Sequence, residues 1–361
     1  MKIAVDAMGG DNAPGEIIEG SVLAAREYGT KITLVGPKDV LEAELAKHDS
    51  AGLPIDIAHA SEVVGMSESP SLAYRKKKDS SVMVGVKLVK EGKAEAFVSA
   101  GNTGAVMAHG TLVLRLLPGI SRAAITVLLP TQKGWSVLLD AGANVDCKPQ
   151  ALFEFGIMGS VYASHVLEKK APITGLLNIG EEEGKGNEIS KLTGEMLRQS
   201  SINFMGNVEA KEVYRGTADV IVCDGFVGNV TLKVSESVAE MFTKALKNLF
   251  ATNWRSKLGY LLVRPYVDEF KRRIDYHEYG GAPLLGLNGT VFICHGSSKA
   301  KSIKNAIKHA EAYVKNGVNE KIRIGMEKNI AIEKAMENHE GVFANLDANE
   351  KTDTKDPGTK E

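Results

Sequence analysis

Ser99-Ala-Gly-Asn-Thr-Gly104 is the stretch on which the fold turns. Before it, Ala94-Glu-Ala-Phe-Val98 is short and mostly apolar, as a buried strand is. After it, the run from Ala105 to Leu117 reads as a helix. Strand, glycine-rich turn and helix together place free backbone N–H groups at a helix start, where about half a positive charge attracts anions. Gly101 and Gly104 let the backbone approach a ligand, and Ser99, Asn102 and Thr103 add side-chain hydrogen bonds. The segment therefore reads as a phosphate site. It also reads as an ordinary strand-to-helix turn capped by Asn102 or Thr103.

The same grammar recurs along the chain. Lys2 to Asp6 is a strand that ends in Ala7-Met-Gly-Gly-Asp-Asn-Ala-Pro14, and a helix follows from Glu16 to Tyr28. Lys31 to Val35 and Ile55 to Ala58 are strands, with a helix from Val40 to Lys47 between them. Ala124 to Leu129 and Ser136 to Asp140 read as a hairpin, and the second strand ends in Asp140-Ala-Gly-Ala-Asn-Val-Asp146. The strand at Ile173 ends in Gly180-Glu-Glu-Glu-Gly-Lys-Gly-Asn-Glu188, that at Val220 in Asp224-Gly-Phe-Val-Gly-Asn229, and that at Thr290 in His295-Gly-Ser-Ser298. Strands alternating with helices imply an α/β fold, a mainly parallel open sheet with helices on both faces. Ligands of such sheets sit beyond the carboxyl ends of the strands. Six polar, glycine-bearing strand ends are expected to converge at one sheet edge.

The bulk composition narrows the function. A net charge of −1 argues against a nucleic-acid binder working through bulk charge. Three scattered cysteines, Cys147, Cys223 and Cys294, form neither a disulfide framework nor a zinc motif. Met1 to Asp6 leads directly into a strand without a signal-peptide core, and no run of about 18 apolar residues occurs. A cytoplasmic chain is expected. There is no Walker loop, and no Gly-x-Gly-x-x-Gly follows the first strand, so nucleotide binding has no direct support.

Ser235 to Gly281 breaks the alternation. Val238, Met241, Phe242, Ala245, Leu246, Leu249 and Phe250 recur at helical steps. A second amphipathic stretch sets Val267, Phe270 and Ile274 against Lys271, Arg272 and Arg273. The expectation is a protruding amphipathic αα-hairpin over 235–281 that buries best against its own copy, hence a homodimer. Asn253 to Tyr266 is read as its apolar tip. There Trp254, Leu258, Leu261, Leu262 and Val263 among Arg255, Lys257 and Arg264 suit a membrane interface. Residues 1–320 are read as one catalytic domain, and 321–361 as a C-terminal helix and a polar tail of disordered composition.

Several motifs now agree. Val5-Asp-Ala-Met-Gly-Gly-Asp11, Ser99-Ala-Gly-Asn-Thr-Gly-Ala105, Asp140-Ala-Gly-Ala-Asn144, Lys185-Gly-Asn-Glu188, Asp224-Gly-Phe-Val-Gly-Asn229, Tyr279-Gly-Gly281 and His295-Gly-Ser-Ser298 stand in unbroken order. Together they resemble the PlsX family, the acyl-acyl carrier protein:phosphate acyltransferases of bacterial phospholipid synthesis. The resemblance implies transfer of a fatty acyl group from a carrier-protein thioester to inorganic phosphate. It also implies a sheet like that of isocitrate and isopropylmalate dehydrogenases, a homodimer, and peripheral association with the inner face of the cell membrane. The product, an acyl phosphate, would pass to a membrane-bound glycerol-3-phosphate acyltransferase.

Under that resemblance the residues take roles. Lys185 and Asn229 take the positions of the catalytic pair, one supplying charge to the developing oxyanion and the other a directional amide. Ser99, Gly101, Asn102, Thr103 and Gly104, with His295, Gly296, Ser297 and Ser298, would hold phosphate. Arg75-Lys-Lys-Lys78 is the densest basic run and suits docking of an acidic carrier protein. His109 and His295 are possible proton shuttles, His295 being the better placed at a strand end. No nucleophilic triad is legible, so phosphate is expected to attack directly. Asp6, Asp11, Asp140, Asp146 and Asp224 are carboxylates of the kind that hold a divalent ion on the related dehydrogenase fold, yet the resemblance requires no metal and no cofactor, and none is expected. A metal- and nicotinamide-dependent decarboxylating dehydrogenase and a non-enzymatic membrane scaffold remain the alternatives.

Overall fold

Alternation decides how the first strand sits. Ile3 and Val5 point to one apolar layer and Ala4 to the other, and all three are buried. Val98 and Phe97, Leu139 and Leu138, and Val222 and Ile221 divide between the same two layers. Strands with apolar side chains on both faces need cover on both.

The computed structural model describes residues 1–274 and 280–330. The strands are β1 (Lys2–Asp6), β2 (Lys31–Gly36), β3 (Ile55–His59), β4 (Ala96–Ser99), β5 (Ala124–Thr131), β6 (Gly134–Leu139), β7 (Ile173–Asn178), β8 (Asn203–Glu209), β9 (Val220–Val222), β10 (Ala282–Leu285) and β11 (Thr290–Ile293). The helices are α1 (Gly15–Tyr28), α2 (Lys38–Leu45), α3 (Pro70–Lys76), α4 (Ser81–Lys90), α5 (Thr103–His109), α6 (Pro149–Val166), α7 (Glu188–Gln199), α8 (Gly225–Ala251), α9 (Trp254–Ile274) and α10 (Ala300–Lys315), with α11 over 318–330. One layer takes Ile17, Ile18 and Val22 of α1, Ile303 and Ala306 of α10, and much of α6. The other takes Val82, Met83 and Val86 of α4 and Val106 of α5. Val318, Ile322 and Met326 of α11 lie in the first layer, so the last described helix is continuous with the body across residue 320.

The strands form one sheet in the order β3-β2-β1-β4-β11-β10-β5-β6-β9-β7-β8. Seven of the ten neighbouring pairs are parallel, and the three antiparallel pairs, β11–β10, β10–β5 and β5–β6, sit together in the middle. This corrects one expectation. β1, β4 and β11 run in one sense, whereas β6, β9 and β7 run in the other, so their polar ends do not share one sheet edge. The β5–β6 hairpin and the short β10 reverse the chain between the halves, an effect that reading each turn singly cannot reveal.

Two local readings also change. The helix after Gly104 does not run on to Leu117: α5 ends at His109, a π-helical turn covers Gly110–Leu114, and Arg115 closes it with φ 70°. Asn253 to Tyr266 is not a tip. The turn is Thr252-Asn253, Asn253 accepts the Ser256 N–H at 3.0 Å as an N-cap, and α9 then runs through Pro265. Tyr279, the polar tail, and the side chains of Lys271, Arg272, Arg273 and Ile274 lie outside the described residues. Among the described residues no helix is long and apolar enough to cross a membrane.

Candidate active site

The strand ends gather into two groups. The first joins the turns after β1, β4 and β11. Asp6 is buried at the end of β1 and accepts the Ser99 hydroxyl at 2.7 Å. The Ser99 oxygen in turn accepts the Gly101 N–H at 3.0 Å. Burial pushes the Asp6 carboxyl up, and hydrogen bonds from Ser81, Ser99, Met8 and Gly9 oppose that shift. A Cβ on Gly9 would fall 2.7 Å from the Gly101 nitrogen, so these two loops touch through backbone. The third loop locks in by hydrogen bonds. Asp11 N–H donates to the Gly296 carbonyl at 2.8 Å, and the Asn12 amide donates to the Ser297 and Ser298 carbonyls at 3.2 and 3.3 Å.

The expected phosphate residues divide by role in this group. Asn102 caps α5 by accepting the Ala105 N–H at 3.0 Å, and its amide nitrogen donates to the Gly65, Met66 and Glu68 carbonyls at 3.3, 2.9 and 2.9 Å. Ser99 and Asn102 therefore shape the turn from within. Gly104 makes room for Pro70, whose Cγ would lie 2.7 Å from an added Cβ. Thr103 is exposed beside them. His295 is exposed too, with Nδ1 at 2.7 Å from the Ser297 hydroxyl. Ser298 differs from all of these: it is buried, and its hydroxyl has no hydrogen-bond partner among the described residues. An unpaired buried hydroxyl is costly unless a ligand or water meets it. His109 is turned into the fold, with its Nε2 buried and without a hydrogen-bond partner among the described residues. It is fully buried, Nδ1 bonds the Ala105 carbonyl at 2.7 Å, and burial holds the imidazole below its ordinary range.

The second group joins the turns after β6, β7 and β9. Asp140, buried at the end of β6, accepts five N–H bonds: from Ile125, Gly142 and Ala143 at 3.0, 3.2 and 3.0 Å, and from the Asn144 backbone and side chain at 2.7 and 2.9 Å. The start of α8 rests on this loop. A Cβ on Gly228 would come within 1.8 Å of the Asp140 carbonyl oxygen, an approach that glycine alone permits. Asp224 caps α8 through the Val227 N–H at 2.8 Å, which leaves Asn229 uncapping and exposed one turn further on. The Asn229 side chain faces Gly142, with 3.6 Å from its Oδ1 to the position a Cβ would take there.

Lys185 lies on the loop after β7, the neighbour of β9 in the sheet. Three glutamates precede it, and none forms an ion pair with it among the described residues; the Glu182 carboxylate faces Gly180 beside the Lys185 stem. Glu181 pairs with Lys211 at 3.3 Å and Glu183 with Arg198 at 3.1 Å. Among the described residues the Lys185 ammonium has no ion-pair partner, and its backbone N–H is anchored on the Glu182 carbonyl at 3.0 Å. Adjacent parallel strands therefore carry an exposed, unpaired cation and an exposed amide at the same end. Sequence reasoning named Ser298 among the phosphate residues and Asp140 among the strand-end carboxylates, but missed Asp140 as the organiser of its loop; only burial distinguishes it from other strand-end carboxylates.

The remaining expected residues are scattered. Lys77 is internal to its loop, bonded to the Glu68 carboxylate at 2.7 Å and the Val63 carbonyl at 2.6 Å. Lys78 lies over the Tyr74 ring at 4.4 Å, while Arg75 and Lys76 are exposed. All three cysteines are buried thiols, and burial pushes Cys147 and Cys294 up to about 12, far from nucleophilic use.

Comparison with known proteins gives the class first. The fold is that of the phosphotransacylases. It matches a phosphotransacetylase from Streptococcus pyogenes with a TM-score of 0.59 at 19% identity, over 87% of this chain and 94% of that one. It also matches a branched-chain phosphotransacylase from Enterococcus faecalis with a TM-score of 0.53 at 13% identity, over 87% and 99%. Sequence comparison then narrows this. A family model described as "Fatty acid synthesis protein" matches residues 1–321. A phosphate acyltransferase of Geobacter sulfurreducens is 54% identical over 327 residues, 91% of this chain and 94% of that protein. One of Pelobacter propionicus is 53% identical over 339 residues, 94% and 95% of the two chains. The chain belongs to the PlsX family of phosphate acyltransferases.

Proposed function

We propose that the enzyme moves a fatty acyl group from an acyl carrier protein thioester to inorganic phosphate. A phosphate oxygen attacks the thioester carbonyl, the C–S bond breaks, a C–O–P linkage forms, and the thiolate leaves and takes up a proton. Phosphate is already anionic near neutral pH, so it needs positioning more than deprotonation. The tetrahedral stage places a negative charge on the former carbonyl oxygen, and Lys185 with Asn229 supplies a cation and a directed N–H for it. The observation that carries this reading is Lys185, exposed and without an ion-pair partner among the described residues, with two of the three adjacent glutamates, Glu181 and Glu183, bonded elsewhere. Thr103, the His295-Gly-Ser-Ser298 turn and the unpartnered Ser298 hydroxyl form the phosphate side.

Both groups of turns can serve one cleft although their strands are antiparallel. β9 lies five sheet positions from β4. At about 20–25° per step, twist brings the two opposed directions to within roughly 55–80° of each other. Arg75, Lys76 and Lys78 then offer a basic approach for the acidic carrier protein, which raises the encounter rate more than the final affinity.

The exposed stripes of α8 and α9 support a location for this reading. On α8, Val234, Val238, Met241, Phe242 and Leu249 repeat on one stripe and are 51–63% exposed, more apolar surface than a lone chain usually leaves in water. We assign that stripe to a second copy of the chain. On α9, Trp254, Leu258, Leu261 and Leu262 form another stripe, 53–75% exposed, flanked by Arg255, Lys257 and Arg264. That stripe is assigned to the inner face of the membrane, where a lipophilic product is passed to a glycerol-3-phosphate acyltransferase.

Two measurements bear on this. Purified enzyme incubated with acyl carrier protein thioester and phosphate is expected to release acyl phosphate and free thiol in equal amounts; a folded protein that yields neither sinks the reaction. Leu261→Glu with Leu262→Glu is expected to lower co-sedimentation with anionic vesicles by more than about tenfold, since each leucine buries about 1.5–3 kcal/mol of apolar surface. Unchanged sedimentation would remove α9 from the membrane.

A further inference from the structure

A cavity of about 380 Å³ lies apart from both groups of turns. It is an open pocket bordered by the C-terminal part of α6, the segment before β7, the start of β8 and α11. Four basic side chains line it: His165, Lys170, Lys321 and Lys328. Among the described residues no carboxylate lines it, and none of the three lysines takes an ion pair. Half-buried Lys321 donates instead to His165 Nδ1 at 3.2 Å. Burial, and then this ammonium, hold the imidazole below its ordinary range. Lys170 and Lys328 are exposed and Lys321 is half-buried, and together they make this pocket locally positive, which favours an anion. The same walls carry apolar Val161, Ile202 and Ile324, with Ile324 between Lys321 and Lys328 along α11 and Val161 one turn before His165 on α6, and Ser160 and Ser164 add hydroxyls. The volume is that of a small-molecule site.

The location separates this cavity from the candidate active site. It sits at the amino ends of β7 and β8, whereas Lys185 follows the carboxyl end of β7. The six residues of β7 put about 20 Å between those ends.

We propose that this cavity binds a small amphipathic anion, with a phosphate monoester or carboxylate head on the four basic groups and a short apolar stem on Val161, Ile202 and Ile324. The head is held by charge-assisted hydrogen bonds, and the stem supplies the remaining affinity.

The test is calorimetric titration of the full chain with octyl phosphate, octanoate and inorganic phosphate at fixed ionic strength. At least one of the two amphiphiles is expected to bind about tenfold or more tightly than inorganic phosphate, and whichever binds better identifies the head. Lys321→Ala with Lys328→Ala is expected to weaken that binding about tenfold or more. Ile324→Asp, which places a carboxylate on a partly exposed part of the wall, is expected to abolish it without unfolding the chain. The Lys185→Ala variant is expected to bind as the wild type does. Binding that survives the lysine and Ile324 changes, binding lost with Lys185, inorganic phosphate binding that is as tight as the amphiphiles' and is lost with Lys321 and Lys328, or no binding of either amphiphile would each overturn the proposal.

Discussion

Replacing Lys185 by alanine is expected to lower the turnover of acyl phosphate formation by about a hundredfold or more, the usual cost of removing one oxyanion donor. Stability should not change, because the side chain is exposed and takes no ion pair among the described residues. If Lys185 acts on the charge that develops in the transition state, kcat falls and KM for phosphate moves little. Lys185→Arg retains charge in a wider, planar group and is expected to recover only part of the rate. A Lys185→Ala enzyme with wild-type kcat would shift the oxyanion donor to Asn229 or to backbone amides. A rise in KM for phosphate with kcat intact would instead place Lys185 on the phosphate.

Asp140→Ala is expected to destabilise the fold by roughly 3–5 kcal/mol, read as a lower urea midpoint, and to abolish activity with it. The magnitude follows from what the carboxylate holds. Five N–H donors lose their acceptor, including four from the loop of residues 142–144 and its side chain. That loop supports the start of α8 and faces Asn229, so the amide loses its position even where the chain still folds. Asp140→Asn keeps one oxygen as acceptor but turns an NH2 toward N–H donors, and an intermediate loss is expected. A stability change below about 1 kcal/mol in the alanine variant would show that water replaces the carboxylate, and that the loop does not need it.

The elements were legible where local chemistry is strong. β1, β2, β7 and β11 begin where apolar alternation and turn residues place them, and the β5–β6 hairpin was visible in its sequence. The division of the polar strand ends between two opposed sets of strands, where convergence at one sheet edge was expected, was not legible. Each turn specifies its own geometry, but the direction of a strand depends on how many reversals precede it in the ladder, and the short antiparallel β10 pairs through residues far along the chain. The expected tip at Asn253–Tyr266 failed for a local reason. Its mixture of aromatic, aliphatic and basic residues is compatible with helix, and Asn253 starts that helix as a cap.

The same division runs through the candidate site. The sequence by itself determined the family, the residue types at each strand end, and Lys185 as a cation flanked by glycines, because these rest on order and spacing along the chain. Tertiary structure decided which of those residues face outward. It turned Ser99, Asn102 and Asp140 inward as scaffolding, satisfied Lys77 within its loop, and left Lys185, Asn229 and Thr103 exposed. Whether a polar side chain serves the fold or a ligand depends on which donors and acceptors surround it. Some of those neighbours are a few residues away but are brought in only by how the loop folds, as residues 142–144 are around Asp140. Others come from distant segments, as Asp6 does for Ser99 and residues 65–68 do for Asn102. No local pattern records either.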